Sequence, residues 1–151
     1  MRLLAAIALT ASVALTGCGG GESDAEKLKE KQLANSGAPT PVCVDQAKDE
    51  TVPASFPTEF PLPDGAKVYA SEERSEGRTI VYAVVDRDVK AVLNQLQTDV
   101  PAAGFKLTEG EVEERDAESN WTGNGYTGRW AIREVAACPD QTSVTVLAAK
   151  Q

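Results

Sequence analysis

The chain has 151 residues, with 23 acidic and 15 basic side chains, a formal net charge of −8 and no histidine. This length suits one domain with a tether, and the acidic balance argues against a nucleic-acid partner and against adsorption to anionic lipid headgroups. Without histidine there is no Ser-His-Asp or Cys-His pair and no usual zinc hydrolase site. We therefore expect a protein that is not an enzyme and that carries no metal or other cofactor.

Residues 1–17 have the pattern of an export signal. Arg2 is followed by an apolar run over residues 3–15 that only Thr10 and Ser12 interrupt. The run is shorter than the roughly 20 apolar residues of a membrane-spanning helix, and it has the size of a signal-peptide core. We predict a signal peptide that ends at residue 17.

The sequence Leu15-Thr16-Gly17-Cys18 resembles the bacterial lipobox, in which a leucine and two small residues precede a cysteine. The resemblance implies that the leader is cleaved before Cys18 and that this thiol receives lipid, whose burial contributes about 0.8 kcal/mol per CH₂. It predicts a membrane-anchored lipoprotein of the bacterial cell envelope, in the outer membrane if the host is Gram-negative, with its domain in the periplasm or outside the cell. An ordinary signal peptide with an accidental cysteine is the alternative.

Residues 18–41 are expected to form the lipidated N-terminus and a flexible linker, because they combine glycines with charged residues and few large apolar ones. A marginal helix within this segment, over residues 25–34, would be too short to be stable alone in water. We place a single domain over residues 42–151.

Cys43 and Cys138 remain once Cys18 carries lipid, and an even pair in an oxidising compartment predicts a disulfide. It would tie the start of the domain to its last hairpin, and the entropy of closing so long a loop contributes about 4–5 kcal/mol. Metal ligation is the alternative, which the absence of histidine and of C-x-x-C spacing disfavours.

The domain opens with a proline-rich segment over residues 51–68, whose four prolines exclude a helix and favour extended chain. Phe56, Phe60 and Leu62 lie among these prolines. We expect these three apolar side chains to pin the segment to the domain.

Two strands are predicted next, over residues 66–72 and 78–85, around a turn at Gly77, with Val68 and Ala70 on one face. Apolar residues then recur at helical spacing at Val89, Val92, Leu93, Leu96 and Val100. Asp86 or Asp88 is expected to cap this helix and Gly104 to end it, with Pro101 in the last turn.

After the helix, residues 105–114 alternate as a strand, and residues 115–120 are expected to form a polar loop. Residues 121–135 form one long strand or a hairpin broken by glycines, residues 138–141 a tight turn, and residues 142–149 the last strand. The order β-β-α-β-β-β predicts an α+β fold, with a single helix packed on a mostly antiparallel sheet and one disulfide.

The stretch WTGNGYTGRW, from Trp121 to Trp130, holds both tryptophans and three glycines and is the candidate binding surface. As one strand it would place Tyr126 and Trp130 on one face, with a gap at Gly128 that a ring or a neighbouring backbone fills, and Trp121 with Arg129 on the other. Such a surface suits a sugar ring, a peptide strand or an acyl chain. Polar neighbours make Trp121 the expected exposed contact. The alternative is that Tyr126 and Trp130 are core and that the glycines mark a bulge or turn.

Residues 109–118, EGEVEERDAE, form an acidic run. They lack the ligand order of an EF-hand calcium loop, and alternating acids on an edge strand oppose edge-to-edge pairing. We interpret the run as a solvated sheet edge.

The FPLPDGAKV segment and the Trp-Gly-Tyr-Gly-Trp pattern are similar to those of small uncharacterised bacterial envelope lipoproteins, a resemblance that implies no catalytic residues. These observations predict a lipid-anchored, non-catalytic domain whose partners are the membrane, through Cys18, and an envelope protein or cell-wall component. The sheet edge and the region of Trp121 are the predicted contact. The alternative is a small-molecule or lipid carrier with an apolar pocket between helix and sheet.

Overall fold

A computed structural model describes residues 37–151, which contain six strands and one helix. The predicted signal peptide, Cys18 and most of the predicted linker lie outside the described residues. Apart from Gly37 and Ala38, the described chain belongs to one compact unit, Pro39–Gln151. In chain order the elements are β1 (Lys67–Arg74), β2 (Arg78–Val85), α1 (Val89–Ala102), β3 (Lys106–Val112), β4 (Asp116–Gly123), β5 (Tyr126–Val135) and β6 (Cys138–Lys150).

A single antiparallel sheet contains these strands in the order β1-β2-β6-β5-β4-β3. Helix α1 carries the chain from β2 to β3 at the opposite edge and packs on one face of the sheet, which we call the helix face; the other is the outer face. The predicted single helix, antiparallel sheet and disulfide are confirmed, and the domain is mostly sheet.

The predicted polar loop over residues 115–120 is wrong, because Asp116–Gly123 forms strand β4. Ala117, Ser119 and Trp121 of this strand are buried on the helix face, while polar residues between them face outward. Because the first two inward residues, Ala117 and Ser119, are small, the sequence of β4 shows little alternation between apolar and polar residues. The stretch that follows is a hairpin, so four strands rather than three come after the helix.

Val68 and Ala70 were expected to share a face, and the structure corrects this. The register of β1 shifts between them, so that Val68 lies opposite Ala83 and Ala70 lies opposite Tyr82. The extra residue at Tyr69 forms a bulge, which turns Val68 to the helix face and Ala70 to the outer face.

The predicted tight turn at residues 138–141 is also wrong. The two residues Ala136 and Ala137 join β5 to β6, and Cys138 already pairs with Val135. Asp140, with a φ of 68°, lies within the irregular start of β6. Proline and aspartate at this place therefore distort a strand instead of reversing the chain.

Helix α1 has the predicted ends. Asp88, rather than Asp86, is the N-cap, and its carboxylate accepts a hydrogen bond from the Ala91 amide at 2.8 Å. Pro101 lies in the last turn and Gly104 follows it with a φ of 87°, a conformation that glycine adopts readily after a helix.

The core lies between α1 and the helix face of the sheet. The helix contributes Val89, Val92, Leu96 and Val100, each at most 9% exposed. Strand β2 is buried on both faces, since alternate residues Val81, Ala83 and Val85 face the helix while Ile80, Tyr82 and Val84 are buried on the outer face. Burial of one such valine or leucine contributes about 1.5–3 kcal/mol.

The proline-rich segment folds as successive turns against this core. Each turn starts at a proline whose carbonyl accepts a backbone hydrogen bond from the residue three positions later, at Pro53, Pro57 and Pro63. Phe56 and Phe60 are 2% and 4% exposed, and Leu62 packs against the same cluster. The prediction that these side chains pin the segment is confirmed.

Cys43 and Cys138 form the predicted disulfide, with their Cα atoms 5.9 Å apart. The neighbouring Val44 amide donates to Gln141 Oε1 at 2.9 Å, and Lys67 Nζ donates to the Val44 carbonyl at 3.3 Å. The start of the domain is thus tied to the β5–β6 hairpin.

Candidate functional site

The aromatic and glycine-rich stretch forms the β4–β5 hairpin around the turn Asn124–Gly125. Both turn residues have positive φ, 51° and 79°, as a tight two-residue hairpin requires. The turn places Trp121 opposite Gly128, so Trp121 and Trp130 share the helix face. The prediction that Trp121 lies with Arg129 on the other face is wrong, because a hairpin rather than a continuous strand separates the two tryptophans.

Trp121 is 1% exposed and is therefore not the exposed contact that its polar neighbours indicated. Its ring centroid lies 4.8 Å from that of Phe60 and 5.2 Å from that of Phe105. A Cβ on Gly128 would lie 2.4 Å from the Trp121 ring and 2.0 Å from the Leu147 carbonyl oxygen. The gap predicted at Gly128 exists, and the indole fills it.

The indole N–H groups of Trp121 and Trp130 are both buried, with no hydrogen-bond acceptor among the described residues. Each unsatisfied donor costs about 1–3 kcal/mol. Burial of about 150–250 Å² of aromatic surface contributes about 4–6 kcal/mol per ring, which outweighs that cost. Both tryptophans are core residues.

The four predicted binding residues do not form one surface. Tyr126 is half-buried and packs against the margin of the core. Arg129 lies on the outer face, where its half-exposed guanidinium pairs with Glu118. With Trp121 and Trp130 inside, the hairpin offers no aromatic platform.

The sheet edge, the other part of the predicted contact, is open at β3. All of Lys106–Val112 is exposed except Leu107, and the Val112 side chain is the most exposed large apolar residue described, at 62%. Strand β3 is an edge strand of the sheet. One of its edges pairs with β4, and no strand within residues 37–151 pairs with the other. An unpaired edge presents backbone N–H and C=O groups to an extended partner.

A bulge that follows Leu107 fixes the direction of the side chains along β3. Beyond it, Glu111 lies opposite Glu118 on the outer face, and Val112 lies opposite Ala117 on the helix face. The open edge therefore presents an acidic side chain to one face of the sheet and an apolar side chain to the other.

The opposite edge, β1, is partly covered by the chain that precedes it. The Glu50 amide donates to the Val68 carbonyl at 2.7 Å, and the Ser55 hydroxyl donates to Glu73 at 2.6 Å. One backbone group of β1, the Val68 carbonyl, is thus engaged by the preceding chain, whereas within residues 37–151 no backbone group of β3 bonds to a segment outside the sheet.

Polar groups near β1 are paired as well. Glu72 accepts hydrogen bonds from Arg74 at 2.7 Å and from the Tyr82 hydroxyl at 2.9 Å, and the bond from Arg74 holds the pKa of Glu72 below its usual range. Burial raises the pKa of Tyr69 and of Tyr82 to about 12, so both phenols stay neutral near neutral pH.

Ion pairs cross the outer face from β5 to β4 and stop short of β3. Arg129 pairs with Glu118, and Arg133 lies 3.4 Å from Asp116. Glu111 has no ion-pair partner within residues 37–151, and it faces Glu118 across the strands. Like charges directly opposite each other repel, so this row ends at the open edge with uncompensated negative charge.

A cleft of about 130 Å³ lies where the start of α1 meets the β3–β4 and β5–β6 turns. Within residues 37–151, no group of three or more side chains is placed to hold a metal ion. Four acidic residues, one lysine and one valine line the cleft, close to the end of β3: Asp88, Val89, Lys90, Glu114, Glu134 and Asp140.

Among the described residues, no helix has the length and apolar character that a membrane span requires. A scan against protein-family models matches no family, and searches of the curated proteins and of the solved structures find no match.

Proposed function

We propose that the chain is a lipid-anchored, non-catalytic domain of the bacterial cell envelope that binds another envelope protein through the open edge of β3. The anchor is proposed from the lipobox-like sequence at Cys18, outside the described residues. The binding role is supported by one observation above all: the free edge of β3 is exposed and has no paired strand within residues 37–151, whereas the preceding chain partly covers β1 at the other edge.

A protein partner has more support than a cell-wall ligand. Repeated N–H and C=O groups at strand spacing match the backbone of an extended polypeptide. A sugar ring would be expected to stack on an exposed aromatic side chain, and both tryptophans are 1% exposed. The edge, rather than the aromatic hairpin, therefore carries the proposal.

The carrier alternative has less support. An apolar ligand between helix and sheet would need a pocket there, yet the helix residues that face the sheet are closely covered. Val92, Leu96 and Val100 are each at most 1% exposed and belong to one cluster with the sheet residues. Helix and sheet are in contact where that pocket was predicted.

Site-specific photo-crosslinking in the intact host envelope tests the proposed contact. A photo-reactive side chain in place of Val112 is expected to crosslink to one envelope protein, because this side chain is 62% exposed at the open edge. The same group in place of Gln97, which is exposed on α1, is the control and is expected to give no such product. Equal yields from the two positions, or a product from Gln97 alone, would contradict a contact at β3.

The same experiment includes a Cys18→Ser chain to test the anchor. This substitution removes the thiol that the lipobox resemblance assigns to lipid, so the variant is expected to leave the membrane fraction. A Cys18→Ser chain that remains in the membrane fraction would contradict the anchor without bearing on the edge.

A further inference from the structure

We infer that the segment that pairs with β3 is an extended strand in which basic and apolar residues alternate. This inference rests on the proposed function and adds the chemistry of the partner. It follows from the side chains that the open edge presents to each face of the sheet.

On the outer face, an added strand would continue a row of charges. Arg129 of β5 pairs with Glu118 of β4, and Glu111 of β3 lies next to Glu118 with no cation of its own in the described part of the chain. A lysine or arginine on the added strand beside Glu111 would compensate the last charge in the row. An opposite-charge pair between neighbouring strands stabilises a sheet, whereas another acid would extend the repulsion.

On the helix face, the same added strand would meet Val112. This residue follows Glu111 directly and points to the opposite face. An apolar residue of the partner, next in sequence to the basic one, would cover the exposed Val112 side chain. Strand geometry places successive side chains on opposite faces, so the partner has to alternate.

The second half of β3 favours a basic partner. Glu109 and Glu111 lie in this half and Glu113 and Glu114 follow it, whereas Lys106, the one cation of β3, lies at its start. These acids also disfavour a second copy of the chain as the occupant, because an acidic edge would then face an acidic edge. Complementary charge accelerates association and suppresses wrong partners.

Binding of synthetic peptides to the full chain in zwitterionic detergent micelles tests the inference. The probes are a peptide of alternating valine and lysine, one of alternating valine and glutamate, and the valine–lysine peptide with every backbone nitrogen methylated. Amide chemical shifts and dissociation constants are the readouts. The valine–lysine peptide is expected to shift the amide resonances of Lys106–Val112. It is also expected to bind more tightly than both other peptides, because only this peptide has both positive charge and backbone N–H donors.

Glu111→Lys is expected to weaken binding of the valine–lysine peptide by about tenfold. The fold should tolerate this variant, because it replaces a like-charge pair with Glu118 by an opposite pair. Glu76→Lys is the matched control. It makes the same change of net charge in the β1–β2 turn, where the Glu76 side chain is 80% exposed, and is expected to leave binding unchanged.

Equal binding of the methylated peptide would show charge attraction without strand pairing, and equal binding of the valine–glutamate peptide would remove the charge argument. Peptide-induced shifts that leave the β3 amides unchanged, or self-association through β3 in place of peptide binding, would likewise overturn the inference. If Val112 crosslinks in the host envelope but no peptide binds at β3, the inference fails while the proposed function stands. If neither occurs, both fail.

Discussion

Removal of the disulfide by the double substitution Cys43→Ala and Cys138→Ala is expected to lower the free energy of unfolding by about 4–5 kcal/mol. The bond joins residues 95 positions apart and encloses nearly every element of the domain, from before β1 to the start of β6. Without it the unfolded chain gains the entropy of an open loop. Since domains are stable by only about 5–15 kcal/mol, the loss is a large share of the total.

Urea unfolding followed by tryptophan fluorescence measures this loss, because Trp121 and Trp130 are both buried in the core. The unsubstituted chain in excess reductant is the control, and it is expected to match the double variant. A loss below about 1 kcal/mol, against the loop-closure expectation, would show that the sheet does not depend on the bond.

Gly128→Ala is expected to be the most damaging single methyl addition, with a cost of about 3 kcal/mol or more. The new Cβ would lie 2.0 Å from the Leu147 carbonyl oxygen and 2.4 Å from the Trp121 ring. The oxygen belongs to the neighbouring strand β6 and the ring is 1% exposed. Neither group can withdraw without opening the sheet or the core.

Gly77→Ala is the matched control for that substitution. It adds the same methyl group at a turn where nothing lies within 4 Å of the new Cβ, so its cost comes only from the φ of 65° and is expected to be about 1 kcal/mol. Unfolding midpoints in urea compare the two variants. Equal losses would show that the packing of Trp121 against Gly128 does not limit stability.

The sequence predicted those elements whose pattern is local. Strand β2 is almost uniformly apolar, α1 has a clear helical period, and both were placed within a few residues of their observed bounds. The disulfide was predicted from the pair of cysteines that remains once the lipobox resemblance assigns Cys18 to lipid. The role of Phe56 and Phe60 was predicted from isolated apolar residues among prolines. Apart from that resemblance, these predictions needed only composition, spacing and backbone preference.

Errors arose where tertiary pairing decides the outcome. Strand β4 has small residues, Ala117 and Ser119, at its inward positions, so its alternation in polarity is weak. The turn Asn124–Gly125 is the strongest short hairpin signal in the sequence. Because this turn reverses the chain, Trp121 lies on the same face as Trp130 and not with Arg129, as one continuous strand would have placed it.

The candidate site was predicted in part. An acidic sheet edge at residues 109–118 was expected, and β3 occupies the start of that range. The prediction is wrong for residues 116–118, which belong to β4 between β3 and β5, where Ala117 is buried. Val112 was not predicted as a contact, although a single valine among four glutamates indicates an exposed apolar side chain. Whether an edge is covered depends on segments distant in sequence, such as Glu50 beside Val68. Local pattern contains no such information.

Acids on β3 have a double effect in this account. They oppose pairing between two copies of the chain, as charged edges do in many sheets, and they attract a strand of opposite charge. If the chain is anchored to a membrane as proposed, its local concentration there is high, and self-association through an open edge would be a hazard. On the proposed function, the acidic edge would admit a basic partner strand and oppose pairing between two copies of the chain.

Amide hydrogen exchange tests the central claim most directly, with the chain in its own host membranes compared with the chain purified from them. We expect the amides of Lys106–Val112 to exchange more slowly in the membranes by about tenfold or more, because a partner strand covers them. Amides of β1, at the edge where no partner is proposed, should exchange alike in both samples. Equal exchange of Lys106–Val112 in the two samples would contradict a partner at this edge.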